Sequence, residues 1–235
     1  MKAGCPVVAA LYKMHRDAGK NHSRLTRHDL TNEALGMCVD QNRALTPIFW
    51  PSTFIIRAMP RVPLAEFEPG LKKRLEELWG EPPNLYRALG NHPQLIAAWA
   101  EFSRALRYES RTPRALRELV ILRGAQLMRS EYEWAQHLKM ARAAGVRDAQ
   151  IATLASWRNS PEFDAREKAA LSVAESVTNG HVSDEVYAQA SREFDHAQYV
   201  ELALTAAFYA MVGRMIDALE VPLEPEMREH SPRLP

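Results

Sequence analysis

The sequence predicts an all-α bundle of about seven or eight helices. Three observations carry that prediction. Apolar residues recur at helical spacing, the same start and stop signals punctuate the chain repeatedly, and no alternating run with a hairpin turn competes. At 235 residues the chain has room for one domain, or one domain with an extension, and for a sizeable core. With 46% hydrophobic and 25% charged residues the composition is that of a globular protein, which excludes wholesale disorder and fibrous repeats.

Residues 1–58 differ from the rest. They hold both cysteines, Cys5 and Cys38, three of the eight histidines, and an excess of basic over acidic residues, with a poor hydrophobic pattern. A modest helical candidate falls at Asn32–Val39 and an aromatic stretch at Pro47–Phe54. This region reads as an N-terminal extension or arm, ahead of a domain over 59–235, and Met59-Pro-Arg-Val-Pro reads as a natural opening of the compact part. Two cysteines 33 residues apart match neither a disulfide framework nor metal or redox spacing, and read as reduced thiols.

Each helix of the domain has a local reason. Phe67–Trp79 carries Leu71, Leu75 and Leu78 on one side and stops at Gly80 before Pro82-Pro83. A short turn, Asn84–Leu89, is closed by Gly90. His92-Pro93 and Thr112-Pro113 each place proline at a helix start, where the missing N–H costs nothing. Ser130/Glu133, Asp164/Glu167 and Asp195/Gln198 have capping-box spacing, in which side chain and backbone satisfy each other's free groups. Helices at about Asp148–Ser156 and Asp184–Glu193 complete the set, and the last runs Asp195–Leu219 before Pro222.

A formal charge of +1 removes the global electrostatic argument for nucleic acid as a partner. Apolar stretches such as Leu202–Val212 are short against the roughly 20 residues of a membrane span, and Met1–Lys20 lacks a signal peptide's apolar core. The expectation is a cytoplasmic protein without membrane partners.

Chemistry concentrates on two consecutive helices. Pro113–Met128 is apolar nearly all round, as a buried helix is, yet Glu118 and Arg123 sit within its apolar faces. Burying a charge is expensive unless it is paired. Glu118 fits an ion pair with Arg114, or with Arg123 of a neighbouring chain, and equally a pocket carboxylate. In Glu131–Ala144, His137 falls inside the apolar arc of Trp134, Leu138 and Ala141, and Glu133 stands four residues before it. A carboxylate beside an imidazole fixes which ring nitrogen carries the proton, as general acid–base catalysis requires. A hydrogen-bonded packing histidine and a purely capping Glu133 fit the same spacing. His181 sits in a helix-ending loop; Tyr209 and Arg214 on the last helix could point to a pocket. One Glu-x3-His pair supplies two metal ligands at most, so no metal is expected. There is no G-x-S-x-G, P-loop or G-x-G-x-x-G pattern.

Arg117-Glu118-Leu119-Val120-Ile121-Leu122-Arg123, Ser130-Glu131-Tyr132-Glu133-Trp134-Ala135-Gln136-His137 and Ala144-Gly145-Val146 resemble the carboxymuconolactone decarboxylase family, which includes alkyl hydroperoxidase D. The likeness extends from about Met59 to Pro225, through Phe163–Leu171 and the helix end at Leu219–Pro222. It implies an alkyl hydroperoxidase D-like helical fold, homotrimers or homohexamers, and a site between these two helices without a cofactor. In the peroxidase branch a C-x-x-C pair does the chemistry. Its cysteine positions fall here on Ser130 and Glu133, and its glutamate and histidine on Glu118 and His137. A hydroxyl and a carboxylate form neither a disulfide nor a sulfenic acid.

The decarboxylase branch, with its Glu-x3-His pair, is closer. The resemblance implies a carbon–carbon lyase acting on a small carboxylated lactone or ring compound, as in aromatic catabolism. His137 would donate or shuttle the proton, with Glu133 and Glu118 orienting it. Arg123 would anchor a substrate carboxylate, and Ser130, Trp134 and Tyr209 would line the substrate site. Trp157-Arg158-Asn159-Ser160-Pro161 departs from the decarboxylases' Tyr-x-Gly-x-Pro-like turn, which leaves the substrate open. A thiol peroxidase relying on Cys5 and Cys38, and a non-catalytic oligomeric module, are the competing functions.

Overall fold

The structure is a computed structural model that describes residues 60–230 and Leu234. The chain divides into two units at Ile55/Ile56, and the described residues all belong to the second. The arm expected over 1–58, with its helical candidate and both cysteines, lies outside the described residues.

Ten α-helices and one 3-10 segment, with no strand, make up the described residues. They are α1 (Pro69–Trp79), α2 (Asn84–Leu89), α3 (Pro93–Tyr108), α4 (Arg114–Met128) and α5 (Glu131–Ala143). There follow α6 (Asp148–Thr153), the 3-10 turn Leu154–Asn159, α7 (Ala165–Thr178), α8 (Asp184–Glu193), α9 (His196–Leu219) and α10 (Pro225–His230). The all-α expectation holds. The count exceeds seven or eight because α2 and α10, six residues each, are too short to show a period.

Local chemistry sets the boundaries. The Glu68 side chain accepts from the Leu71 N–H at 3.1 Å to start α1. Gly80 ends it at φ 73°, a conformation that a Cβ would strain. Asp164/Glu167 and Asp195/Gln198 form two-way capping boxes at α7 and α9. The box expected at Ser130 is half made: the Ser130 hydroxyl accepts from the Glu133 N–H, but the Glu133 side chain does not return the bond.

Burial explains the apolar wheel of α4. Leu119, Leu122 and Ala125 join a core with Trp134, Leu138, Ile151 and Leu171, while Leu116 and Val120 join a second with Val173, Phe194 and Leu202. The helix is thus sandwiched between two cores, and no subunit neighbour is needed to cover it. A third core gathers Leu75, Leu85 and Ile96 from α1–α3 against Phe208, Val212 and Ile216 of α9.

At 24 residues, α9 is by length and composition long and apolar enough to cross a bilayer. The expectation that no segment reaches that length does not hold for it. Here its buried face packs against α4, α5 and α7.

Arg129, in the left-handed conformation at φ 53°, closes α4 and turns the chain directly into Ser130, the cap of α5. The two helices run back along each other as a hairpin, which brings residues before the turn opposite residues after it.

Candidate active site

The hairpin sets Glu118 of α4 against His137 of α5. His137 Nδ1 lies 2.8 Å from Glu118 Oε2, and the Arg114 guanidinium, one turn earlier on α4, donates to Glu118 Oε1. Glu118 is fully buried and His137 is 6% exposed. Burial by itself would raise the Glu118 carboxyl, but the His137 and Arg114 charges and hydrogen bonds outweigh it and hold the group below its ordinary value. Glu118 is therefore an ionised acceptor at neutral pH. An ionised acceptor at Nδ1 fixes the proton there and leaves Nε2 for whatever enters beside it.

What lies beside it is a cavity of about 220 Å³ between α2, α3, α5 and α9. Five of its sixteen lining residues are aromatic: Tyr86, Trp99, Tyr132, Phe208 and Tyr209. The polar groups reaching it include Arg107, Glu133, Gln136 and His137. An apolar enclosure with a few convergent polar groups is the ordinary form of a small-molecule site. The edge of Tyr209 meets the His137 ring at 4.7 Å and 85°. Burial raises the Tyr209 phenol above its ordinary value, so it remains a hydrogen-bond donor.

Glu133 has a different environment from Glu118. It is 2% exposed, and neither carboxyl oxygen has a hydrogen-bond partner among the described residues. Burial pushes this carboxyl up to about 8, opposed only by the Ser130 side chain. It lies against the backbone of α9 at Gly213, where a Cβ would come within 2.7 Å of Glu133 Oε2 and 3.5 Å of Met128 Cβ. Gly213→Ala is accordingly expected to force the Glu133 carboxyl aside, an overpacking loss of about 1–3 kcal/mol offset by about 1 kcal/mol of gained helix propensity. Chemical denaturation should show that loss shrinking when Glu133 is also replaced by Ala.

The structure gathers some of the expected site residues and separates others. Glu133, His137 and Tyr209 line the cavity, and Glu118 stands directly behind His137. The orienting partner of His137 is Glu118; the contact expected from Glu133 at i−4 is not made, because the second α4 turn places a carboxylate closer to Nδ1. Arg123 is not at the cavity. Its guanidinium binds Glu175 at 2.6 Å and Gln126 at 2.8 Å on the α7 side of α4, which explains a buried charge without a substrate. Ser130 caps α5 and faces a separate open cleft with Gly213 and Arg214. Trp134 is 2% exposed in the core between α4 and α5 and does not line the cavity. His181 and Arg214 also lie away from it.

Several cavity residues carried no signal in the sequence. Arg107 closes α3, a helix read only for its apolar face, and Tyr86 belongs to a helix read as a turn. Gln136 is adjacent to His137 and is held by Glu224, whose carboxylate accepts from Gln136 Nε2 at 2.6 Å, Tyr132 Oη at 2.8 Å and the Asn84 N–H at 2.7 Å. Nothing local in residues 220–225 announces that clasp. No group of three or more His, Cys, Asp or Glu is placed to hold a metal ion among the described residues.

Comparison with known proteins agrees with this architecture. The Bacillus subtilis (strain 168) protein YdfG is 31% identical over 99 residues, 41% of this chain and 67% of its own length. The Escherichia coli (strain K12) protein YnjA is 28% identical over 149 residues, 62% of this chain and 76% of its own. Among solved structures, the alkylhydroperoxidase AhpD core of a peroxidase-related protein from Ralstonia eutropha JMP134 superposes with a TM-score of 0.62, at 17% identity, covering 72% of this chain and 94% of that one. The debrominase Bmp8, as a cysteine-to-alanine variant in complex with 2,3,4-tribromopyrrole, gives 0.60 at 18% identity, over 68% of this chain and 87% of that one. At these identities the solved structures establish the fold. Residues 93–176, which span α3 to α7 and include Glu118, Glu133 and His137, match the carboxymuconolactone decarboxylase family, and to that family the chain belongs.

Proposed function

We propose that this protein is a cofactor-independent lyase that removes carbon dioxide from a small carboxylated lactone or ring compound. The observation that carries the reading is the 2.8 Å contact between His137 Nδ1 and Glu118 Oε2 at the wall of an aromatic cavity. Loss of carbon dioxide leaves an electron pair that must spread onto a neighbouring carbonyl, so hydrogen-bond donors placed there lower the barrier. The Tyr209 phenol is such a donor; His137 Nε2, with the ring proton held on Nδ1, is an acceptor that orients the substrate; and Arg107, which also donates to Met140 Sδ at 2.7 Å, takes the place of Arg123 as a cation for a substrate carboxylate. Aromatic walls suit a flat ring. The peroxidase alternative would need a thiol in this cavity, and its two cysteine positions are occupied by Ser130 and Glu133.

The test is carbon dioxide release by the purified full chain from a panel of muconolactone-type and aromatic acids. His137→Ala is expected to lower kcat by about 100- to 10,000-fold with the fold intact by circular dichroism. Undiminished turnover in that variant would remove His137 from the reaction, and no release from any acid in the panel would sink the lyase reading.

Self-association is part of the proposal. On α9, Val200, Leu204 and Met211 share one face and are 53%, 43% and 41% exposed, an apolar stripe without a cover in the single chain. Leu204→Glu combined with Met211→Glu is expected to reduce the solution mass measured by light scattering; an unchanged mass would exclude that face from the contact.

A further inference from the structure

Building on the proposed lyase reading, we infer that Glu133 is the acid of this cavity: its carboxyl group, whose oxygens accept no hydrogen bond among the described residues, delivers the proton that replaces carbon dioxide on the substrate. Three independent features of the geometry meet at this residue. It lines the cavity together with His137, four residues further along the same helix, so one ligand can touch both. It is 2% exposed with both carboxyl oxygens unbonded among the described residues, whereas Glu118, equally buried, has both of its oxygens paired. It also forgoes the return bond of its own capping box, the use that Glu167 and Gln198 make of the same position in their helices.

A buried polar group normally finds a partner, and an orphan of this kind is a site for a ligand. No cation forms a salt bridge with it among the described residues. The charged and titratable groups around the cavity are Glu81 and Tyr86 beside and on α2, Arg107 on α3, Tyr132 and His137 on α5, and Tyr209 on α9, with Glu118 and Arg114 of α4 behind His137. Behind its Oε2 stands Gly213, which also lines the open cleft holding Arg214 and Asp217. The upward shift of this carboxyl, caused by burial, places it in the range where an acid both holds its proton at neutral pH and can release it in the reaction.

The step balances as follows. The bond between the ring carbon and the carboxylate breaks, carbon dioxide leaves, and its bonding pair stays on the ring carbon, delocalised onto the adjoining carbonyl. That carbon takes the Glu133 proton. The Glu133 carboxylate so formed recovers a proton from solvent, one per turnover, and no electron donor or acceptor is required. His137, whose proton is held on Nδ1 by Glu118, orients the substrate through Nε2 as an acceptor, the Tyr209 phenol donates to the carbonyl oxygen, and neither is the source of the proton on carbon.

The experiment compares wild type, Glu133→Gln and His137→Ala full-length chains in two measurements. Infrared spectra of protein labelled at glutamate carboxyls follow the carbonyl stretch of a protonated carboxylic acid across pH. Carbon dioxide release from the muconolactone-type and aromatic acid panel follows turnover. A protonated-acid band at pH 7 that disappears near pH 8 is expected in wild type and absent in Glu133→Gln. Glu133→Gln is expected to keep KM within about threefold and lose kcat by about 100- to 10,000-fold, since glutamine hydrogen-bonds but yields no proton. An identical band in Glu133→Gln, or full turnover by that variant, overturns the assignment. Full turnover by His137→Ala alone overturns the role of His137 and leaves Glu133 standing. Should no acid in the panel be turned over, the lyase reading falls, and the infrared arm decides whether Glu133 is the cavity's proton carrier: a band lost in Glu133→Gln upholds it, and equal bands reject it.

Discussion

Glu118→Ala is expected to cost about 3–5 kcal/mol of folding stability and at least about a hundredfold in turnover. Removing this fully buried carboxylate strips both the His137 ring and the Arg114 guanidinium of their partner at once. Arg114 is 28% exposed and can turn toward solvent, so the larger share of the loss arises at His137, which is 7% exposed in its side chain and cannot. Glu118→Gln should be milder in stability, because the amide oxygen still accepts from Nδ1, yet it removes the charge. The pH dependence has a definite sign. The folded value of Glu118 is depressed, so its contribution is fully present above the unfolded carboxyl's pKa of about 4.5 and is lost as pH falls through the lower folded value. Denaturation curves at descending pH should therefore show a flatter acid limb in Glu118→Gln than in wild type; coincident limbs, or wild-type stability in Glu118→Ala, would refute the pairing as a stabilising element.

Glu133 predicts the opposite dependence, and a large one. Its folded value is raised to about 8 from an ordinary 4.5, so between those limits the folded protein holds a proton that the unfolded chain has released. Stability then falls as pH rises across that window, by about 1.4 kcal/mol for each pH unit, and levels off above it. Glu133→Gln lacks this penalty. Its stability relative to wild type should grow steadily from about pH 4.5 to about pH 8, reaching at most about 5 kcal/mol, less whatever the unpaired amide costs. Urea denaturation at four or five pH values measures the difference directly. Parallel curves for the two proteins would mean that Glu133 ionises in the fold as freely as in the unfolded chain. A residue kept at a net cost in stability is what a functional site looks like, because a purely structural position would have been better served by glutamine or leucine.

The two glutamates show how far the sequence reaches. Glu118 was legible as a charge in an apolar helical face and Glu133 as one near the edge of the next helix's apolar arc, and the starts of α4 and α5 were legible from Pro113 and Ser130. Periodicity cannot say which neighbour a buried charge meets. From spacing alone Glu133 is within reach of His137, and Glu118 within reach of Arg114; the second contact forms and the first does not. The contact from Glu118 to His137 spans 19 residues and depends on how the two helices face each other after the turn. Arg123 failed as an anchor for the same reason: Glu175, its partner, lies 52 residues away on α7.

By itself the sequence determined the helices of 60–219 other than α2, most of their capped starts, the buried character of α4, and the absence of the two thiols that peroxidase chemistry needs. These are properties of residues within one or two turns of each other, and local backbone chemistry settles them. Tertiary structure alone decided that α3 and α9 close an aromatic cavity over His137, that Arg107 reaches it and Arg123 does not, and that of two buried glutamates one is doubly bonded while the other's oxygens accept no hydrogen bond among the described residues. Packing brings together groups that are remote along the chain, and the energy of a charge depends on what surrounds it in space, which no local pattern records.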